Sequence, residues 1–492
     1  MKQIFAIFLI VMVSIPAFAA GIPDRPEKLN FPELNYEPPK GSDYRVELKS
    51  GPVAFVVPNR ELPLISISIS VRTGKYNDPK GKEGLASMTG YLLSKGGTQS
   101  HSAEDLEERL AFLAARLSSS VGDTSGGVGV NLLSKDLNEG LAMLREVLTT
   151  PRFQKNRIEL YKTQQLQAMK QRNDDSRNIE RQELVRLAYG DRFFRSQSPT
   201  KASIESISTA DLKSFHQDWF HPANFVVAVS GDFDRKTMVS ELEKLFIRWP
   251  FKGKSAKPVP TNKKFAKPGV YLVDKEVNQG RVDIMLPGIM RDNPDYYAVQ
   301  IMNDILGGGG FTSRITNRVR SDEGLAYSAY SYCPGGTYFP RTFVAGYQSK
   351  SRTVLYAAQI VLEEMLKITQ EEVSDKEIET AKASYIQTFP QAFETKGAVA
   401  GTFASEEFTG RIKTDPDYFN KFRAKIAAVT KADVQRVASK YLTVERVAIL
   451  IVGNKKDILK GHPDHSVSIE SLTSGSLKDV PLRDPFTLLP LK

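Results

Sequence analysis

Residues 85–98 read LASMTGYLLSKGGT, and in the second half of the chain residues 306–330 read LGGGGFTSRITNRVRSDEGLAYSAY. In the first stretch Leu85, Met88, Leu92 and Leu93 recur at helical spacing, and Gly96 and Gly97 stop the helix. In the second, Gly307, Gly308, Gly309 and Gly310 lead into a helix, and Arg320 and Tyr327 follow it, seven positions apart. Strands precede both stretches, and that parallel decides the fold.

Ahead of the first helix, YRVELKSGPVAFVVPN reads as two strands about a Ser-Gly turn, and LISISISVRTG alternates apolar and polar side chains with period two, the mark of a half-buried antiparallel strand. Behind it come RLSSSVGDTSGGVGVNLL as a strand pair and a run of helices, closing with TADLKSFHQDWF as helix and FVVAVSGDF as strand. The same order returns after residue 268, and the closing pairs match: KADVQRVASKYL is followed by RVAILIVGNKKD. A duplicated α+β fold is the simplest explanation, each copy a mostly antiparallel sheet covered by helices. The expected boundaries are an extended, proline-rich lead-in over 21–42, domains over 43–249 and 269–458, a proline- and lysine-rich linker over 250–268, and a polar tail over 459–492, disordered or docked on the surface.

A chain of 492 residues that is 41% hydrophobic and 25% charged belongs with folded proteins, not disordered ones. Residues 1–20 open with a Lys, an apolar run from Ile4 to Ile15 and small residues at Ala17 and Ala19, the pattern of a cleaved signal peptide. Ser14 and Pro16 break the run before it is long enough to span a bilayer, and no later segment does so, which points to an exported, soluble, periplasmic protein. The formal charge of +10 is spread through mixed-sign stretches, so it reads as a weak attraction for anionic surfaces or acidic peptides and not as a nucleic-acid footprint. Cys333 is the sole cysteine, excludes an internal disulfide and reads as a buried thiol.

The strand, polar loop and GLASMTGYLLSKGGT helix resemble the opening of the pitrilysin, insulinase and mitochondrial processing peptidase family of zinc metalloendopeptidases. The register follows from Gly84, Leu85 and Ala86 before the site and Leu93, Lys95, Gly97 and Thr98 after it. The family's inverted zinc signature HxxEH then falls on Ser87, Gly90 and Tyr91, and its third ligand on Ala168. A zinc site of this kind needs two imidazoles one helical turn apart, a carboxylate, and a Glu to take a proton from bound water. Ser, Tyr and Ala supply none of the ligands and Gly90 has no side chain, so no metal is expected in this chain.

The resemblance also implies a role for Arg320 and Tyr327 in RSDEGLAYS. They occupy the positions of an Arg and Tyr pair that the family's C-terminal domain contributes to the active site, where it binds the substrate backbone and supports the tetrahedral intermediate. Heteromeric members place zinc signature and pair on different subunits. The chain therefore reads as half of a clamshell, inactive alone, which grips an extended peptide while a homologous partner with an intact HxxEH holds the zinc. The rival reading is a stand-alone peptide-binding or scaffold pseudopeptidase.

Other candidates weigh less. The run Gly307–Gly310 lacks the GK[ST] ending of a P-loop and is either a structural turn or a substrate loop. His462 and His465 have metal-like spacing but sit beside Pro463 in the tail, and His216 and His221 lie at a helix end or in the loop before a strand. Ser87 has neither a GxSxG frame nor an identifiable base, which makes it an ordinary helix serine.

Overall fold

The computed structural model describes Arg25, Lys28, Leu29 and residues 34–491 apart from Lys263. The signal-peptide expectation for residues 1–20 lies outside the described residues. Residues 34–37 carry no helix or strand, and the folded body begins at Pro38.

Two six-stranded mixed sheets form the body. The first is built from β1 (Arg45–Glu47), β2 (Val53–Pro58), β3 (Leu64–Val71), β4 (Arg116–Val121), β5 (Gly126–Leu133) and β6 (Phe225–Gly231), in the order β1-β2-β6-β3-β5-β4. Alternation along β3 puts Ile65, Ile67, Ile69 and Val71 into the core and turns Ser66, Ser68 and Ser70 to the other face. Helix α1 (Leu85–Lys95) buries Leu85, Met88, Leu92 and Leu93 in that core. Helices α2 (Lys155–Lys170) and α3 (Ser176–Tyr189) follow.

The second sheet contains β7 (Gly269–Asp274), β8 (Gln279–Pro287), β9 (Ala326–Tyr332), β10 (Thr342–Lys350), β11 (Ala448–Gly453) and β12 (Leu477–Asp479), in the order β12-β7-β11-β8-β10-β9. Five strands correspond one to one with the first sheet in order and direction: β2 is parallel to β6 as β7 is to β11, and the other neighbours are antiparallel in both. The edges beside β2 and β7 differ. β1 precedes β2 and runs antiparallel to it, whereas β12 comes from the tail and runs parallel to β7. Helix α4 (Tyr296–Asn303) and, later in this half, α5 (Lys396–Thr409) complete the elements that matter here.

The halves exchange helices. From the first half, α3 lies across β8 and β11, where Ile179 joins Met285, Leu450 and Val452. In return α5 lies across β2 and β6, with Phe403 against Phe55 at 6.1 Å between ring centroids. The central strands β6 and β11 are consequently covered on both faces, which is why FVVAVS and AILIVG are apolar almost throughout and not alternating. Arg45 pairs with the buried Glu407 at 3.0 Å across the same junction.

Residues 250–268 contain no helix or strand among those described and are tied down along the first half, as where Ala266 N–H donates to Leu187 O at 2.8 Å. The tail is docked: it supplies β12, then turns onto the first half, where Phe486 packs against the core.

Candidate functional site

Helix α1 is anchored at its start by Asp78, whose carboxylate accepts the N–H groups of Gly84 at 2.9 Å and Ala86 at 2.7 Å. Burial nevertheless pushes this carboxyl up to about 6. Ser87 is half-buried, with its hydroxyl 3.4 Å from Val121 O. One turn on, β4 is pressed onto the helix at Gly90: a Cβ there would lie 2.6 Å from the carbonyl carbon of Ser120 and collide with the amide nitrogen of Val121. The hydroxyl of Ser119 fastens the contact, donating to Gly90 O at 2.5 Å and accepting Ser94 N–H at 2.9 Å. Tyr91 meets Tyr161 of α2 with ring centroids 5.0 Å apart, and Ala168 is exposed two turns further along α2. A hydroxyl, a phenol and a methyl group, around a glycine whose missing side chain is replaced by strand backbone, do not fit zinc. Among the described residues, no group of three or more His, Cys, Asp and Glu side chains is placed to hold a metal ion.

The second site lies in the other half. After α4 the chain widens into a π-helical turn over Asp304–Gly308, and Gly307 is buried against β9, where a side chain would strike the backbone of Ser331. Gly310 turns with φ of +61°, a conformation that glycine adopts at little cost. Short turns follow, then a second π-helical segment, Asn317–Asp322, that carries Arg320. The guanidinium carbon of Arg320 stands 4.6 Å from the ring centroid of Tyr327 and 4.4 Å from that of Phe311. Both rings are open to solvent, Tyr327 at 84% exposure and Phe311 at 66%. Among the described residues the N–H groups of Arg320 have no hydrogen-bond or ion-pair partner, although its neighbours do: Arg314 makes a two-pronged contact with Glu377 at 2.6 and 3.1 Å, and Arg318 lies 3.4 Å from Glu364. Arg320 thus places its guanidinium over two exposed rings while its N–H groups are left without a partner among the described residues. The reading of the sequence omits Phe311. Its only signal is an aromatic residue directly after the glycines.

Beside Tyr327 opens a cavity of about 920 Å³ between α3 and the strands β8, β9 and β10, with Gly307, Gly308, Tyr330 and Tyr332 in its wall. Arg281 reaches across it to Glu180 at 3.5 Å and donates to Ser176 Oγ at 3.1 Å. Burial pushes the Glu180 carboxyl up to about 7 and that of Asp283 well above the usual range, each against the attraction of Arg281. Burial, with those carboxyls adding to it, pushes the phenol of Tyr330 up to about 12.

The remaining candidates are structural in their contacts. His216 is buried in the last turn of its helix, donates from Nε2 to Leu148 O at 2.9 Å, and is driven down to about 4 by burial. His221 Nε2 bonds Lys254 O at 2.9 Å. His465 stacks on Tyr356 with centroids 3.9 Å apart, and His462 Nδ1 accepts the N–H of Asp464 at 3.0 Å. Cys333 is buried, its thiol pushed up to about 12.

The family model described as "Insulinase (Peptidase family M16)" matches residues 56–197, and that described as "Peptidase M16 inactive domain" matches residues 206–385. An uncharacterized zinc protease of Streptomyces coelicolor is 23% identical over 400 residues, covering 80% of this chain and 85% of its own. The non-peptidase homolog YmxG of Helicobacter pylori is 25% identical over 404 residues, covering 81% of this chain and 91% of its own. The crystal structure of a peptidase M16 inactive domain from Pseudomonas fluorescens has the same fold, with a TM-score of 0.72 at 22% identity over 83% of this chain and 97% of that one. The chain belongs to the insulinase, or M16, peptidase family, as a member with the half-clamshell fold.

Proposed function

We propose that this chain is the non-catalytic, substrate-binding subunit of a heteromeric zinc metallopeptidase, supplying Arg320 and Tyr327 to the active site of a homologous partner that carries the intact HxxEH. The observation that carries this reading is the partnerless guanidinium of Arg320 lying against Phe311 and Tyr327. A stacked guanidinium and an exposed phenol are donors fixed in advance, suited to a peptide carbonyl as it gains negative charge. The name of the Helicobacter relative, a non-peptidase homolog, favours the same reading. Extended peptides would add to the edge of a sheet, where backbone hydrogen bonds dominate. Of the edge strands, β9 is already engaged, because Thr316 Oγ1 donates to Ala329 O at 2.8 Å and Asn303 Nδ2 to Ser331 O at 3.4 Å. Export to the periplasm belongs to the same reading, supported by the leader-like first residues, and no helix among the described residues is long and apolar enough to cross a membrane.

Purified alone, the chain is expected to bind no stoichiometric zinc and to cleave no peptide, and to restore turnover when mixed with its HxxEH-bearing partner. Arg320→Ala and Tyr327→Phe should each lower the turnover of the mixture. Undiminished turnover in both variants would remove the role assigned to the pair, and purification from cells with no zinc-bearing associate would favour a stand-alone scaffold.

A further inference from the structure

The cavity beside Tyr327 is unequally charged. Its wall carries six cationic side chains, Arg177, Arg181, Arg195, Arg281, Arg341 and Lys350, against two carboxylates, Glu180 and Asp283. Two of the cations are already engaged, Arg281 with Glu180 at 3.5 Å and Arg195 with Asp123 at 3.0 Å. The side chains of Arg177, Arg181, Arg341 and Lys350 are exposed and have no ion-pair partner among the described residues. Arg320, also unpaired, stands next to this wall through its contact with Tyr327. Cations gathered on concave walls reinforce one another, since the low dielectric of the protein focuses their field into the cleft.

We infer that this cavity selects extended peptides bearing Asp or Glu side chains, the four unpaired cations meeting the acidic side chains while Arg320 and Tyr327 meet the backbone. The inference rests on the reading of Arg320 and Tyr327 as a peptide-binding pair and adds the charge class of the peptide. A polypeptide is preferred to a nucleic acid here because Arg320 and Tyr327, beside the same wall, are read as a peptide-binding pair. The tyrosines Tyr327, Tyr330 and Tyr332 offer apolar faces between the charges.

The test is fluorescence anisotropy on the full chain with a short labelled glutamate-rich peptide, its glutamine counterpart and its lysine counterpart, at low and high salt. The glutamate peptide should bind about tenfold more tightly than the glutamine peptide at low salt, with the gap closing at high salt and the lysine peptide weakest. Arg177→Gln, Arg181→Gln and Arg341→Gln should each weaken the glutamate peptide by about two- to fivefold and leave the glutamine peptide unchanged. Equal affinity for the glutamate and glutamine peptides, both weakened by Arg320→Ala, would overturn the charge preference and leave the peptide-binding reading standing. If no peptide binds, both fall. Tighter binding of a single-stranded oligonucleotide than of the glutamate peptide would replace the inference with a general polyanion surface.

Discussion

Gly90 of α1 lies against the backbone of Val121 on β4, and nothing larger than a hydrogen fits between them. On the register proposed for α1, the family's general base would stand at this position, and the strand backbone fills the space its side chain would need. Restoring the motif by Ser87→His, Gly90→Glu and Tyr91→His is therefore expected to give no peptidase. Gly90→Ala alone should lower stability by about 1–3 kcal/mol through overpacking, and Gly90→Glu by more, since it also buries a carboxylate. Urea denaturation midpoints test this, with Ser87→His/Tyr91→His as the control that leaves residue 90 alone. An unchanged midpoint for Gly90→Ala would mean that β4 parts from α1 without cost.

Both Phe311 and Tyr327 lie against the guanidinium of Arg320, at 4.4 and 4.6 Å. Because Phe311 is mostly exposed, Phe311→Ala should change stability by no more than about 0.5 kcal/mol. It removes one ring of the stack, a contact of about 0.5–1 kcal/mol at an exposed site, and should weaken peptide binding by about two- to fivefold. The Nε–H resonance of Arg320 should lose its ring-current shift in the same variant, and Phe311→Trp should restore both signals. An unmoved resonance would separate Phe311 from the positioning of Arg320.

Much of the fold is legible in the chain because the relevant signals are local. The alternation of LISISISV marks β3, the Gly96-Gly97 stop marks the end of α1, and two closing helix-strand pairs reveal the repeat. What escapes depends on distant partners. Helix α5 buries Val399, Ala400, Phe403 and Ala404, only two of them large, and their packing is visible only once β2 and β6 lie beneath the helix. The three residues of β12 are too few to show any pattern. At the site, Arg320 and Tyr327 are suggested by their GLAYS setting, but their companion Phe311 is nine positions upstream of Arg320 and reaches it only through short turns and the π-helical segment Asn317–Asp322. Glycine at 90 reads in sequence as a lost glutamate, and its positive role against β4 appears only in three dimensions.

Glu180 and Asp283 should make the junction between α3 and the second sheet sensitive to alkali. Burial raises both carboxyls, Glu180 from 4.5 to about 7. Between those values the unfolded chain has released a proton that the folded chain retains, so stability falls as pH rises from about 4.5 to about 7. Asp78 and Asp304, each pushed up to about 6, act in the same direction, and the informative quantity is the difference between variant and wild type. Asp283→Asn imitates the protonated form. It should be near neutral below about pH 4, where both folded and unfolded chains keep the proton, and increasingly more stable than wild type as pH rises above that. Parallel curves of thermal midpoint against pH would contradict this assignment.

Arg483 ties the tail to the first half. Its Nε donates to Glu183 of α3 at 2.6 Å, and Glu183 is only 4% exposed. Around this pair the tail backbone is held three more times: Asn173 donates to Arg483 O at 2.7 Å, Arg172 to Pro485 O at 2.8 Å, and Lys201 N–H to Phe486 O at 2.9 Å. Since β12 belongs to the second sheet, the segment beyond it straps the two halves together. Arg483→Ala leaves a buried carboxylate with Arg186 as its nearest cation, at 3.9 Å, and should cost about 2–3 kcal/mol. Arg483→Lys should recover only part of this, because an ammonium lacks the planar fork that reaches both carboxylate oxygens. Removing residues 480–492 should cost more than Arg483→Ala, since it takes away the backbone contacts and Phe486 as well. Thermal midpoints rank the three variants, and full recovery in Arg483→Lys would show that charge alone, without the geometry of the fork, holds the strap in place.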